Sequence, residues 1–208
     1  MTTFPGFPRE AFTFFTQLAR NNKREWFLAH KDTYERACRD PMKDLVTELG
    51  VDPDNTWITR INRDLRFSKD KSPYRTHIAA VVRDYYLALS ADGLYVGAGM
   101  YKPEPASLGR LRDAIDDKTS GAQLQKMVTS LRRKGYKVDT HDRVASVPRG
   151  YAANHPRIEL LRMKDIHAGK TLPQLTVTSR KLVPAIKRVM SDVKPLVEWL
   201  KTHVGARH

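Results

Sequence analysis

The chain has 208 residues, 40% hydrophobic, 9% aromatic and 29% charged, a balance that excludes a disordered chain and is long enough to bury a core without staples. No stretch approaches the roughly eighteen apolar residues that a transmembrane helix needs, and the single cysteine, Cys38, excludes an internal disulfide and any multi-cysteine zinc site. Lys and Arg number 37 against 23 Asp and Glu, a net charge of +14, which points to an anionic partner, with nucleic acid the commonest.

The opening Met1-Thr-Thr-Phe-Pro-Gly6 lacks a basic stretch followed by an apolar one, so no leader is expected and the expected location is the cytoplasm. Pro8 suits a first helical position, and Phe12, Phe15, Leu18 and Ala19 recur at helical spacing up to a stop at Asn21-Asn22. Asn22 is expected to cap a second helix, with Glu25 completing a capping box. The buried stripe of that helix is Phe27, Tyr34 and Cys38, with Trp26 and His30 beside it. Asp40-Pro41 predicts a fresh start, followed by Met42, Leu45, Val46 and Leu49 and a stop at Gly50.

After Asp52-Pro-Asp-Asn55 the period changes to two. Trp57 to Phe67 predicts a strand with Ile61, Arg63, Leu65 and Phe67 on one face and Arg60, Asn62, Asp64, Arg66 and Ser68 on the other. Ile78–Val82 is apolar on both faces and is expected to be a central strand. Tyr85–Leu89 and Leu94–Tyr101 predict a hairpin around Asp92-Gly93. Gly97 and Gly99 in its second arm mark a place where another backbone or a ligand comes close.

Pro105–Asp117 predicts a helix through Leu108, Leu111 and Ile115. Thr119 or Ser120 is expected to cap the next, which carries Leu124, Met127, Val128 and Leu131 and ends at Gly135. A short strand at Tyr136–Asp139 follows. From Thr140 to Val177 the pattern is poorly periodic and predicts loops, with short elements near Ile158–Leu161 and Met163–His167. Ser179–His203 is helical, with Pro195 expected to kink or divide it. No repeat or long linker interrupts the chain. The expectation is an α+β fold, a single domain over residues 1–208, with an antiparallel sheet mid-chain flanked by N-terminal and C-terminal helices.

The segment Arg60-Ile-Asn-Arg-Asp-Leu-Arg-Phe-Ser-Lys-Asp-Lys-Ser-Pro-Tyr-Arg-Thr76 holds six basic residues against two acids. Its core, Asn62-Arg-Asp-Leu-Arg-Phe-Ser-Lys-Asp-Lys71, resembles the signature of the family called domain of unknown function 2461. The resemblance runs over nearly the whole chain. It includes Asn21-Asn22…Trp26-Phe27, Gly99-Met-Tyr101-Lys-Pro103, Leu108…Arg112…Ile115, Pro148-Arg-Gly-Tyr151 and His155-Pro156…Leu160-Leu-Arg-Met-Lys164. It implies no activity, cofactor or partner.

The residues must therefore speak for themselves. Guanidinium forks on a strand match phosphate or carboxylate oxygens two at a time. Arg60 and Arg66 with Asn62 and Ser68 predict an oxyanion groove on one face, to which Lys69 and Lys71 add point charges, and Arg63, on the other face, is a further candidate for binding. Asp64 orients an arginine or accepts a ligand hydroxyl, and Tyr74 offers a ring and a hydroxyl. Mixed aromatic and basic residues suit single-stranded nucleic acid or a nucleotide. Two other readings stay open. One is an enzyme acting on a small anionic or phosphorylated substrate, with Asp64, Tyr74 or His155 moving a proton. The other is a salt-bridge lattice inside a structural or protein-interaction module.

A second group is Arg149, Tyr151 and His155, presented by the Pro148–Gly150 turn, with Arg162 and Lys164 beyond. Standard catalytic spacings are absent. The seven histidines include no His-x-His or His-Glu-x-x-His, no nucleotide-binding glycine loop occurs, and there is no Gly-x-Ser-x-Gly. No metal and no cofactor is expected, and Cys38 reads as a core thiol.

Overall fold

A computed structural model describes residues 4–66 and 70–205. The chain is α+β, with an antiparallel sheet built mid-chain between N-terminal and C-terminal helices. It divides into two compact units, Met1–Val96 with Thr171–Arg188, and Gly97–Lys170 with Val189–His208.

In the first unit, helix α1 (Glu10–Arg20) buries Ala11, Phe12, Phe14, Phe15 and Leu18. Three phenylalanines and a leucine contribute roughly 6–12 kcal/mol of gross burial, before chain entropy is subtracted. Glu10 in the first turn and Arg20 in the last complement the helix dipole. Helix α2 (Arg24–Ala29) starts one residue later than the capping-box pattern predicts. Lys23 is its N-cap, and the Asn22 side chain is used elsewhere, as described below.

Helix α3 (Lys31–Tyr34) passes through a π-helical turn, Glu35–Arg39, directly into α4 (Asp40–Glu48). The expected fresh start at Asp40-Pro41 is thus a widened turn within a continuous helix. Pro41 has no N–H to offer Ala37, and its ring crowds the carbonyl one turn back. The Asp40 N–H bonds to the Glu35 carbonyl five residues earlier, which opens the turn just ahead of the proline. Cys38 lies in this turn, fully buried, and burial pushes its thiol well above the ordinary range, with Glu10 adding to the effect.

Strands β1 (His77–Val82), β2 (Tyr85–Ser90) and β3 (Gly93–Met100) follow. Val82 pairs with Tyr85 across a two-residue turn, in which Arg83 takes a positive φ of 56°, as tight hairpins of this hand require. The sheet order is β1-β2-β3-β5-β4, so β1 is at one end and not central as expected. Its apolar residues are nonetheless covered. Ile58 bridges Ala80, the Thr59 N–H donates to the Ala79 carbonyl at 2.8 Å, and the Val81 N–H donates to the Trp57 carbonyl at 3.0 Å. Helix α8 (Gln174–Val177) and the first part of α9 complete this unit.

In the second unit, α5 (Pro105–Asp116) and α6 (Lys118–Arg133) are joined at Asp117. The cap of α6 is Asp117, not Thr119 or Ser120. Its carboxylate accepts both of their N–H groups, at 3.0 and 2.8 Å. Strand β4 (Lys137–Asp139) pairs with β5 (Ile166–Leu172), and α7 (Ile158–Leu161) lies between them in sequence. Strand β5 arises in a region expected to be mainly loop. Its Gly169, Lys170 and Thr171 hid it, because a polar, glycine-containing run gives no alternation. Helix α9 (Leu182–Val204) runs unbroken through Pro195, so the proline does not divide it.

Glycine explains the approach of β3 to β5. A Cβ at Gly99 would lie 2.3 Å from the Ile166 carbonyl oxygen and 2.4 Å from the His167 Cα. Only a residue without a side chain permits that contact, as the sequence pattern predicted.

Candidate functional site

The expected strand from Trp57 to Phe67 is not a strand among the described residues. It is an extended ribbon held by isolated bridges, Ile58 to Ala80 and Asn62 to Tyr74. Around the second bridge the Arg63 N–H donates to the Pro73 carbonyl at 2.9 Å and the Arg75 N–H to the Ile61 carbonyl at 2.8 Å. The Tyr74 backbone groups therefore point away from this ribbon, and Asn22 takes both. Its amide donates to the Tyr74 carbonyl at 2.9 Å and its carbonyl accepts the Tyr74 N–H at 3.0 Å. A side chain 52 residues away thus acts as one rung of a ladder.

Tyr74 is also anchored by its ring. It is 5% exposed and stacks on Phe27 with centroids 4.2 Å apart, at the edge of an aromatic cluster of Phe14, Trp26, Phe27 and Tyr34. The ring expected to face a ligand is thus spent on the core.

Between these anchors Asp64, Arg66, Asp70 and Lys71 are exposed and Arg63 is half-buried. Asp64 grips Arg66 bidentately, with Nε to Oδ1 at 3.0 Å and Nη2 to Oδ2 at 2.7 Å, which is the orienting role expected of it. The Arg66 fork, more than its charge alone, holds the Asp64 carboxyl down at about 2. Asp70 bonds Ser72 and pairs with Arg63, and these contacts likewise hold it at about 2. Lys71 donates to the Leu65 carbonyl at 3.2 Å. Arg60, Lys71 and Arg75 have no carboxylate partner among the described residues. Of the remaining nominated residues Asn62 is exposed, and Ser68 and Lys69 lie outside the described residues.

Sequence reasoning missed one neighbour. Trp57 is 55% exposed and leads a row of rings, 6.5 Å to Tyr86 and then 6.4 Å from Tyr86 to Tyr95. Its signal was available, since a tryptophan three residues ahead of Arg60 sits beside the most basic segment of the chain.

The second nominated group belongs to the other unit, where it secures the end of α5. His155 Nδ1 accepts the Arg157 N–H at 3.0 Å, and Nε2 lies 3.2 Å from the Asp116 carboxylate. Arg157 donates to the Ile115 and Asp116 carbonyls at 2.6 and 2.9 Å, groups left open at a helix C-terminus. Tyr151 is half-buried. Burial raises its hydroxyl above the ordinary range, helped by Asp113 and Asp116. Arg149 stays exposed beside Gly150. Two open clefts of this unit, about 420 and 700 Å³, border α5, α6 and α9 and are lined by none of the nominated residues.

One group among the described residues has the donors for a metal ion, namely His141, Asp165 and His167. No spacing rule finds it, because His141 lies 24 residues before Asp165 and joins it through the β4–β5 pairing and the Arg143–Met163 bridge beyond it.

Fold and segment together define a basic α+β protein with an exposed, backbone-clamped cationic ribbon. The chain belongs to the family described as Conserved hypothetical protein (DUF2461), which matches it over residues 10–199. No curated protein and no solved structure matches it.

Proposed function

We propose that the protein binds a phosphate-bearing anion, with nucleic acid as the ligand class, through the Arg60–Thr76 segment. The observation that carries this reading is the local charge excess on a braced ribbon. Within the segment the described cations Arg60, Arg63, Arg66, Lys71 and Arg75 outnumber the two acids, Asp64 and Asp70. Asp64 is gripped by the Arg66 fork and Asp70 is paired with Arg63, so Arg60, Lys71 and Arg75 stand without a salt bridge among the described residues. The Asn22 clamp on Tyr74 means that little backbone freedom is lost on binding at 61–63 and 73–75. The exposed Trp57, and not Tyr74, is the ring on which a base would stack, and such stacking tolerates any sequence. Lys23 and Arg24, next to the Asn22 clamp and exposed, extend the positive surface.

The test is fluorescence anisotropy of labelled single- and double-stranded oligonucleotides across a salt series. Three neutralised phosphates give a slope of log affinity against log salt of roughly −2 for single strands and −2.7 for duplex. Arg60→Ala is expected to make that slope shallower by about 0.7–0.9, and Trp57→Ala to weaken binding at every salt concentration. Absence of binding at low salt, or binding unaltered in both variants, refutes the reading.

A further inference from the structure

We infer that His141, Asp165 and His167 form a binding site for one divalent transition-metal ion of the zinc class. The three side chains offer one donor atom each, all within 4.8 Å of one another. Asp165 Oδ1 lies 3.2 Å from His141 Nδ1 and 3.7 Å from His167 Nδ1. Donors on bonds of about 2.0–2.1 Å in a tetrahedral shell stand roughly 3.3 Å apart, so two of the three edges already have nearly that length.

Two features of the cluster favour a cation. Asp165 is 2% exposed, and its ion-pair partners among the described residues are the two histidines, with no Lys or Arg among them. A carboxylate in that setting needs a positive charge. His167 Nδ1 is buried and has no hydrogen-bond partner, although buried polar atoms normally find one. A divalent ion between them satisfies both at once.

The frame is built to hold these groups still. The β4–β5 register sets Asp139 opposite His167. Two residues beyond Asp139, the His141 N–H donates to Asp165 Oδ1 at 2.9 Å, and the Thr140 hydroxyl lies 3.2 Å from the same oxygen. None of these contacts uses Oδ2. The His141 ring sits 4.3 Å from that of His167, and Tyr101 packs edge-on against it at 4.7 Å. Gly99 lets β3 run against the His167 backbone. Two imidazoles and one carboxylate suit zinc, iron(II), nickel or copper and do not suit calcium or magnesium, which prefer all-oxygen shells. The His141 side chain is 48% exposed, so a fourth position opens to water, the arrangement of a reactive centre more than of a closed structural one.

The experiment uses untagged full-length protein stripped with a chelator and then titrated with Zn²⁺ by calorimetry and with Co²⁺ by visible absorption. The expected result is one ion per chain and a low-coordinate Co²⁺ spectrum. His141→Ala and His167→Ala, checked for folding by circular dichroism, are each expected to weaken Zn²⁺ binding by more than about 100-fold, beyond the loss typical of an outer-shell partner. Wild type should gain thermal stability with Zn²⁺ and the variants should not. If His167→Ala does not fold, His141→Ala decides, because its ring stands half outside the core. Failure of wild type to bind either ion saturably, or retention of wild-type affinity by a folded His141→Ala, overturns the inference.

Discussion

Replacing Asn22 by alanine tests whether the basic ribbon is held in place by a single side chain. Both hydrogen bonds to the Tyr74 backbone, at 2.9 and 3.0 Å, disappear together. Tyr74 itself is 5% exposed, so its N–H and C=O do not simply return to water. An unsatisfied buried group costs about 1–3 kcal/mol. The site is only part-buried, which puts two such groups at the lower end, a total of roughly 2–3 kcal/mol. For a chain of this length that corresponds to a melting temperature lower by roughly 4–12 °C. Urea unfolding followed by circular dichroism measures the loss. Hydrogen exchange of the Tyr74 amide localises it, because that N–H loses its acceptor while those of Arg63 and Arg75 keep theirs. A change below about 0.5 kcal/mol, the range of ordinary surface substitutions, with Tyr74 protection intact would refute the clamp.

Three further outcomes follow from other parts of the molecule. Gly99→Ala places a Cβ 2.3 Å from the Ile166 carbonyl, backbone against backbone, and should cost about 2–3 kcal/mol or more in urea unfolding; a neutral result would mean that β3 and β5 are not so close. His77 is held below its ordinary 6.5 by burial first and then by Arg75 and Arg63. The unfolded chain therefore takes up the proton first, and stability is full above about pH 6.5 and falls as pH drops below it; His77→Gln should flatten that limb of a stability-versus-pH curve, and an unchanged limb would show that His77 carries none of it. Cys38 should resist alkylation in native buffer and react fully in denaturant, and labelling of the native protein at the rate of a free thiol would contradict its burial.

Much of the fold was legible because helices carry their burial pattern locally. Leu182, Ile186, Val189, Val193, Leu196 and Leu200 mark α9 without reference to any other part of the chain, and all six are buried. Gly99 was legible for a similar reason, since a strand glycine predicts a close neighbour even when the neighbour is unknown. What failed was everything that depends on a distant partner. Asn22 has the chemistry of a cap, and nothing local reveals that Tyr74 claims it. The ribbon at 57–66 alternates like a strand, yet its hydrogen bonds go to single rungs. Strand β5 has a weak pattern of its own and exists because β3 and β4 flank it. For the candidate site, the cationic residues were visible as a run, but the occupation of Asp64 and Asp70, and the turning of Tyr74 into the core, belong to the folded chain alone.

The division of the chain into interleaved units bears on how it is made. The Phe7 N–H donates to the Val177 carbonyl at 2.9 Å, and a Cβ at Gly6 would fall 2.5 Å from the Ser179 nitrogen. The earliest described residues thus close against some of the latest. At about 5–20 residues per second of synthesis, the N-terminal helices wait roughly 10–35 s for that partner to emerge. During that interval Phe7 lacks its Val177 partner, and loop closure over such a separation is slow. Overproduction of this chain should therefore reward chaperone supply during synthesis.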